Sequence, residues 1–146
     1  MRRVRYYRML LACVLGPALW TCSGDASEPN AALIGQYRLI RVNNTGLPVT
    51  FYTDPGGTFY AIADSGRLDI YSSDSLSSTR LLTVVYTLGG PVPASSYELI
   101  RYVRIDNRLI LYHDLTPDTA VIDGTIITAH RRSSSQDQGY WQYVKQ

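Results

Sequence analysis

The sequence is poor in the residues that most often carry disulfide bonds and metal sites. It has two cysteines and two histidines among 146 residues. Both cysteines, Cys13 and Cys22, lie near the N-terminus, so the rest of the chain has no disulfide and no CxxC or Cys/His zinc site. The stability of the folded part must therefore come from its core alone.

Signals of enzyme chemistry are also scarce. No Gly-x-Ser-x-Gly motif is present, no Gly-rich phosphate loop precedes a helix, and Glu28 and Glu98 are the only glutamates. His113 and Asp114 could form a nucleophilic triad with one of the many serines. Alternatively, His113, His130 and Asp114 could bind a metal ion. Two histidines far apart in sequence are a weak metal signal, and a histidine at a strand end usually lies in solvent. We expect no catalytic residue, metal or cofactor.

The basic charge of the chain is concentrated at its start. Four of the fourteen basic residues lie in the first eight positions, whereas all twelve acidic residues follow Cys22. Without this N-terminal part the chain has ten basic and twelve acidic residues, a net charge of −2. The positive net charge of the whole chain therefore indicates a targeting signal at the N-terminus, and we expect no nucleic-acid partner.

Residues 1–21 read as an export signal. A basic start is followed by an uncharged run from Met9 to Thr21, which is too short to span a bilayer. Leu19 stands three positions before Cys22, and a small polar stretch follows. This arrangement resembles the lipobox of bacterial lipoproteins, although Trp20 and Thr21 are larger than is usual there. The resemblance implies that Cys22 is acylated, becomes the mature N-terminus and anchors the protein to a membrane, with residues 22–32 as a flexible tether.

Two other processing routes remain open. Gly24-Asp25-Ala26 has the small-x-small spacing of an ordinary secretory cleavage site, and cleavage there would release a soluble protein. Lipid on Cys13 is the other route, but almost no apolar run precedes that residue. Ser23 follows Cys22 where an Asp would resemble an inner-membrane retention signal. We therefore expect a protein of the cell envelope, anchored in the outer membrane and facing the periplasm.

The remainder, residues 33–146, is predicted to be one all-β domain. Tyr, Val, Ile and Thr are frequent, strand-like runs alternate with turn signals, and no window has helical periodicity. The central feature is the hairpin from Glu98 to Asp114 about Asp106-Asn107. Its two-residue loop predicts that Ile105 pairs with Arg108 and that Arg101 pairs with Tyr112.

Eight or nine strands with short turns predict an antiparallel meander closed as a small barrel. A second tight hairpin is predicted about Asp123-Gly124, and an alternating strand with Leu68 and Ile70 facing inward. The segments predicted to be turns or loops are Asn43–Gly46, Asp54–Gly57, Asp64–Gly66, Ser72–Thr79, Gly89–Ser96 and Arg131–Gly139.

The start of this domain resembles a group of small bacterial lipocalin-like lipoproteins. The resemblance rests on Gly35-x-Tyr37-x-Leu39-x-x-Val42-Asn43, followed by Leu47-Pro48, and on Gly66-x-Leu68-x-Ile70 further along. It implies a lipocalin-like barrel and an envelope location, and it brings no catalytic residue with it.

Two functions are consistent with such a barrel. It could hold a small apolar or aromatic ligand, with Arg101, Tyr112 and neighbouring tyrosines near one end. Alternatively, its own side chains could fill the interior, and its outer surface would then meet a protein partner. Alternation along the hairpin leaves the facing of Arg101 and Tyr112 open. If they face outward, the pair is an ordinary surface contact between an arginine and a tyrosine.

Overall fold

The protein is described by a computed structural model that covers residues 31–112, 116–132 and 138–146. One short 3-10 helix, Ala31–Leu33, precedes ten strands. The strands are β1 (Gly35–Val42), β2 (Thr45–Gly46), β3 (Val49–Thr53), β4 (Phe59–Ile70), β5 (Ser75–Tyr86), β6 (Gly90–Ile105), β7 (Arg108–Tyr112), β8 (Asp118–Asp123), β9 (Ile126–Arg131) and β10 (Gly139–Lys145). Cys13, Cys22, His113 and Asp114 lie outside the described residues, as do the predicted signal and nearly all of the tether.

Eight of these strands close into a barrel. From β4 to β10 each barrel strand pairs antiparallel with the next, β10 pairs with β1, and the first half of β1 pairs with the second half of β4. The two extra strands, β2 and β3, pair with β1 and β4 beyond the point where β1 and β4 stop pairing with each other. The predicted all-β antiparallel barrel is therefore confirmed. In the described ranges, no helix is long and apolar enough to cross a membrane.

The central hairpin has the predicted register. Ile105 pairs with Arg108, and Arg101 pairs with Tyr112. Asp106 adopts a φ of 53°, as the tight turn requires, whereas Asn107 keeps a negative φ. The β8–β9 turn differs by one residue from the prediction, because Asp123 still pairs with Ile126 and the loop is Gly124-Thr125.

Three segments predicted to be turns or loops lie mostly inside long strands. Asp64–Gly66 is part of β4, where the register shifts between Ala63 and Ser65 and marks a bulge. A bulge uses the same small and polar residues as a turn without ending the strand. Most of 72–79 belongs to β5 and most of 89–96 to β6, where the serines and prolines are paired residues of the β5–β6 ladder.

The core fills the barrel from one end to the other. Leucine, isoleucine, tyrosine and tryptophan side chains converge from all eight strands. At the end where the chain enters, Leu33 is buried, and its carbonyl accepts a hydrogen bond of 2.9 Å from the Tyr37 hydroxyl. Lys145 Nζ donates to the Ala32 carbonyl across the same end. We call this the entry end. It also carries the short connections 71–74, 106–107 and 124–125.

A part of the sheet rises beyond the opposite end of the barrel. It consists of β3 with residues 59–63 of β4, 82–86 of β5 and 90–94 of β6, and we call it the protruding sheet. Among the described strands, β7 pairs with residues 101–105 of β6, and the start of β6 pairs with β5 alone. The tip of the protruding sheet, at turns 54–58 and 87–89, is therefore the part of the described chain farthest from the entry end.

Candidate functional site

Arg101 and Tyr112 are neighbours on the outer surface of the barrel. Both are exposed, Tyr112 to 49 %, whereas the adjacent Tyr102 and Leu111 face the core. The outward alternative left open by the sequence is therefore the one observed, and neither residue lines the interior. Hydrogen bonds from Ser75 and Ser72 lower the pKa of the exposed Asp74, and the positive charge of Arg101 adds to this effect.

His130 also faces outward and serves in packing. Its ring stacks on Tyr140 with centroids 4.4 Å apart and an angle of 9° between the planes. Its Nδ1 accepts a hydrogen bond of 3.2 Å from Arg132 Nε. Among the residues that the structure describes, no group of three or more His, Cys, Asp or Glu is placed to bind a metal.

Four charged side chains meet inside the barrel, and we call them the ionic layer. Arg80 Nη2 lies 2.8 Å from Glu98 Oε1, and Arg131 Nη2 lies 2.9 Å from Glu98 Oε2, so one carboxylate joins two guanidinium groups. Asp118 Oδ2 lies 3.6 Å from Arg131 Nε. Asp118 also accepts a hydrogen bond of 2.6 Å from the Arg132 backbone N–H.

The ionic layer comes from four different strands. Arg80 lies on β5, Glu98 on β6, Asp118 on β8 and Arg131 on β9. All but Glu98 are buried, and the Glu98 side chain is 29 % exposed. Buried charges are tolerated only when they are paired, and here two cations face two anions. The layer is therefore neutral as a whole, and an anionic ligand headgroup is not required to balance its arginines.

Aromatic rings pack against this layer. The Arg80 guanidinium carbon lies 5.4 Å from the centre of the Trp141 ring, and Phe51 packs edge-to-face on Trp141 with ring centroids 5.2 Å apart. Burial raises the pKa of the nearby Tyr143 hydroxyl, and the charges of Arg131 and Arg80 oppose that rise. Tyr143 thus stays a neutral hydrogen-bonding group at physiological pH.

The space left in this part of the interior is small. A void of about 20 Å³ is lined by Ser78, Asp118, Arg131 and Tyr143 on its polar side and by Leu68, Ile100, Leu111 and Ala129 on its apolar side. A single water needs roughly 10–15 Å³, whereas ligand pockets are typically about 300–1,000 Å³. This part of the interior therefore has room for about one water molecule and not for a ligand of ordinary size.

The protruding sheet offers a different surface. Phe59 lies between Tyr52 and Tyr86, with ring centroids 5.7 and 5.8 Å apart, so three aromatic rings cross neighbouring strands. Leu88, in the turn beyond them, is fully exposed, and Val92 is 47 % exposed. Between Arg80 and Glu98 the sequence has no charged residue at all.

A depression lies at the tip of this sheet. It has a volume of about 420 Å³ and is lined by Gly57, Thr58, Tyr86, Thr87 and Leu88. Exposed apolar side chains that lie together are a common feature of interaction sites. The protruding sheet is therefore the candidate functional surface.

The residues of the ionic layer were not recognised as a site from the sequence. Glu98 stands at the start of the predicted central hairpin, and Arg80 directly follows a segment predicted to be a loop. Once β5 is known to begin at Ser75, alternation places Arg80 on the same face as the buried Leu76 and Ser78. This alternation is the sequence signal that indicates an inward-facing Arg80.

Comparisons with protein-family models, with curated proteins and with solved structures gave no significant match.

Proposed function

We propose that this protein is an exported, lipid-anchored envelope protein that binds a protein partner through its protruding sheet. The observation that carries the proposal is the contrast between a closely packed core around the ionic layer and an apolar, exposed surface at Leu88 and Val92. A barrel packed with Trp141, Arg80 and Tyr143 offers a rigid base, and Leu88 and Val92 offer apolar surface for a partner to cover.

The chain enters the barrel at the end opposite the tip, which supports an orientation of the protruding sheet away from the anchoring membrane. Strand β4 has 12 residues and runs from the tip to the entry end, a span of about 40 Å at the usual rise per residue. If Cys22 is acylated, the nine residues up to Ala31 reach at most about 30 Å. Such a tether joins the anchor to the entry end, so the tip lies at the end of the barrel farther from the anchor. The protruding sheet would face a partner in the aqueous compartment.

Native mass spectrometry of protein purified from its own envelope tests the filled interior. We expect the mass of the chain and its acyl groups without a further small molecule. A copurifying molecule that stays bound when Leu88 is replaced, and whose contacts map to core residues such as Tyr143 and Ile100, would sit inside the barrel. That result would overturn the proposal of a filled interior.

Copurification with a partner tests the protruding sheet. Leu88→Lys places a charge at the fully exposed tip and should abolish stoichiometric copurification of a partner, because a buried lysine would stay unpaired in the interface. Tyr71→Lys is the matched control, since Tyr71 is 51 % exposed at the entry end. Equal copurification by the wild type and both variants would contradict the proposal.

A second candidate function is the binding of a small apolar or aromatic molecule in the tip depression. Its volume of about 420 Å³ lies within the usual range for ligand pockets, and Tyr86 supplies an aromatic wall. A bound molecule that is lost from the Leu88→Lys variant in native mass spectrometry would favour this candidate over a protein partner.

A further inference from the structure

Two buried polar atoms beside the ionic layer make no hydrogen bond to any described residue. They are the Ser78 hydroxyl oxygen and Arg131 Nε. Ser78 is 2 % exposed and Arg131 is 5 % exposed, and both residues line the void of about 20 Å³. Buried polar groups are nearly always hydrogen-bonded to protein or to ordered water, because an unmet donor or acceptor is costly. These two atoms therefore point to a further partner inside the barrel.

The Arg131 guanidinium is held at one end and unsatisfied at the other. Its Nη2 donates a hydrogen bond of 2.9 Å to Glu98 Oε2. Its Nε lies 3.6 Å from Asp118 Oδ2, which is close enough for an ion pair but too long for a hydrogen bond. A small molecule beside both atoms could accept from the Nε–H and donate to the carboxylate.

The Ser78 hydroxyl lies near a second polar group, the Tyr143 hydroxyl. Burial raises the pKa of Tyr143, the two arginines oppose that rise, and Ser78 opposes it further. This approach still falls short of hydrogen-bond geometry at Ser78 Oγ. Because both residues line the void, one small molecule inside it could bond to both hydroxyl groups.

The void suits one water molecule in size and in charge. Its volume of about 20 Å³ exceeds the roughly 10–15 Å³ that a single water needs. Arg80 and Arg131 face Glu98 and Asp118, so the ionic layer is neutral without any occupant. A neutral molecule with two donors and two acceptors fits this setting better than an ion, which would bring an unbalanced charge into the core.

We propose that the void binds one water molecule as a fixed part of the fold. The water accepts from Arg131 Nε, donates to Asp118, and shares hydrogen bonds with the hydroxyl groups of Ser78 and Tyr143. Two to four polar partners are typical of a buried water. Seven of the eight barrel strands line the void, so this water links strands that do not pair with each other, such as β5 and β9. The inference goes beyond the proposed function and does not depend on a partner.

Oxygen-17 relaxation dispersion of the solvent tests this proposal on the full chain in detergent micelles. The method counts long-lived internal water molecules, and exchanging hydroxyl protons do not contribute to it. Ala129→Val adds two methyl groups at the wall of the void and should displace the water. We expect the dispersion amplitude of this variant to be smaller than that of the wild type by the contribution of one water.

Ala61→Val is the matched control. Ala61 and Ala129 are each 6 % exposed, but Ala61 lies in the protruding sheet and does not line the void. This variant should keep the wild-type amplitude. No dispersion in the wild type, or the same amplitude in the wild type and Ala129→Val, would overturn the proposal.

A crystal structure of the wild-type full chain provides a test that needs no variant, in case Ala129→Val fails to fold. We expect a density peak in the void within about 3.2 Å of both Ser78 Oγ and Arg131 Nε. A void without density would overturn the proposal. A bromide peak at this position, after chloride is replaced by bromide in the crystal, would also overturn it, because the occupant would then be an anion.

Discussion

The two halves of the β5–β6 hairpin have the same antiparallel backbone pairing, but one half lies in the closed barrel and the other in the protruding sheet. Near the entry end, Leu76 and Ile100 are cross-strand partners inside the closed barrel, and both are buried. Near the tip, Val84 and Val92 are partners in the same ladder, yet Val92 is half exposed. Backbone pairing is continuous along the hairpin, so the difference comes from what covers the side chains. One half contributes to the core, and the other half presents a surface.

The largest expected effect comes from the ionic layer, where the two halves meet. Glu98→Gln removes the carboxylate that joins Arg80 and Arg131, and it leaves two buried guanidinium groups short of one negative charge. We expect a loss of about 3 kcal/mol or more in the free energy of unfolding, measured by denaturant titration. Glu98→Leu with Arg80→Met should recover part of the loss. A change below about 1 kcal/mol for Glu98→Gln would mean that the layer contributes little to stability.

Truncation of one residue in each half tests the comparison directly. Leu76→Ala leaves a cavity in the closed core and should cost about 2–5 kcal/mol. Val92→Ala at the protruding half should change stability by less than about 0.5 kcal/mol, since the side chain is already half in water. Similar losses from the two substitutions, measured by thermal and chemical unfolding, would show that the protruding sheet is part of the cooperative core.

The turns at the two ends of the sheet each contain a glycine with a positive φ. Gly124 has a φ of 57° in the β8–β9 turn at the entry end, and Gly90 has a φ of 81° at the tip. Nothing crowds a Cβ at either position, so strain in the backbone is the whole cost of a side chain. Gly124→Val should lower stability by about 1 kcal/mol or more. Gly90→Val should also lower stability, since a β-branched residue is strained at a φ of 81°. An unchanged melting temperature for Gly124→Val would contradict the assignment of the β8–β9 turn.

The smallest expected effect is a dependence on pH at the tip. A hydrogen bond from the Thr58 hydroxyl is the main cause that lowers the pKa of Asp54, and backbone N–H groups of Thr58 and Gly56 add to it. A carboxyl group whose pKa falls on folding stabilises the fold above its unfolded pKa, and this contribution is lost as the pH falls through the folded value. Thr58→Val should therefore flatten the acid side of the stability profile slightly. A profile identical to that of the wild type would argue against this contribution.

Local sequence patterns were enough to predict some elements of the fold but not others. The hairpin about Asp106 was predicted with its register, because loop length and side-chain alternation act over a few residues. The long strands were missed where bulges and prolines imitate turns, as at Asp64 and Pro91. The ionic layer could not be predicted, because Arg80, Glu98 and Arg131 meet only after the barrel closes. The facing of Arg101 was likewise undecided until the curvature of the sheet was known.

The pairing of β1 with β10 sets the order in which the fold can be completed. Tyr37 and Lys145 are partners although more than a hundred residues separate them in the chain. Every other barrel strand finds its neighbour soon after it is made, but β1 must wait for the last strand on one of its sides. If the chain is exported, as proposed, this seam stays open until the last strand has followed. A chain truncated before Gly139 would have no β10, and both β1 and β9 would keep an exposed edge.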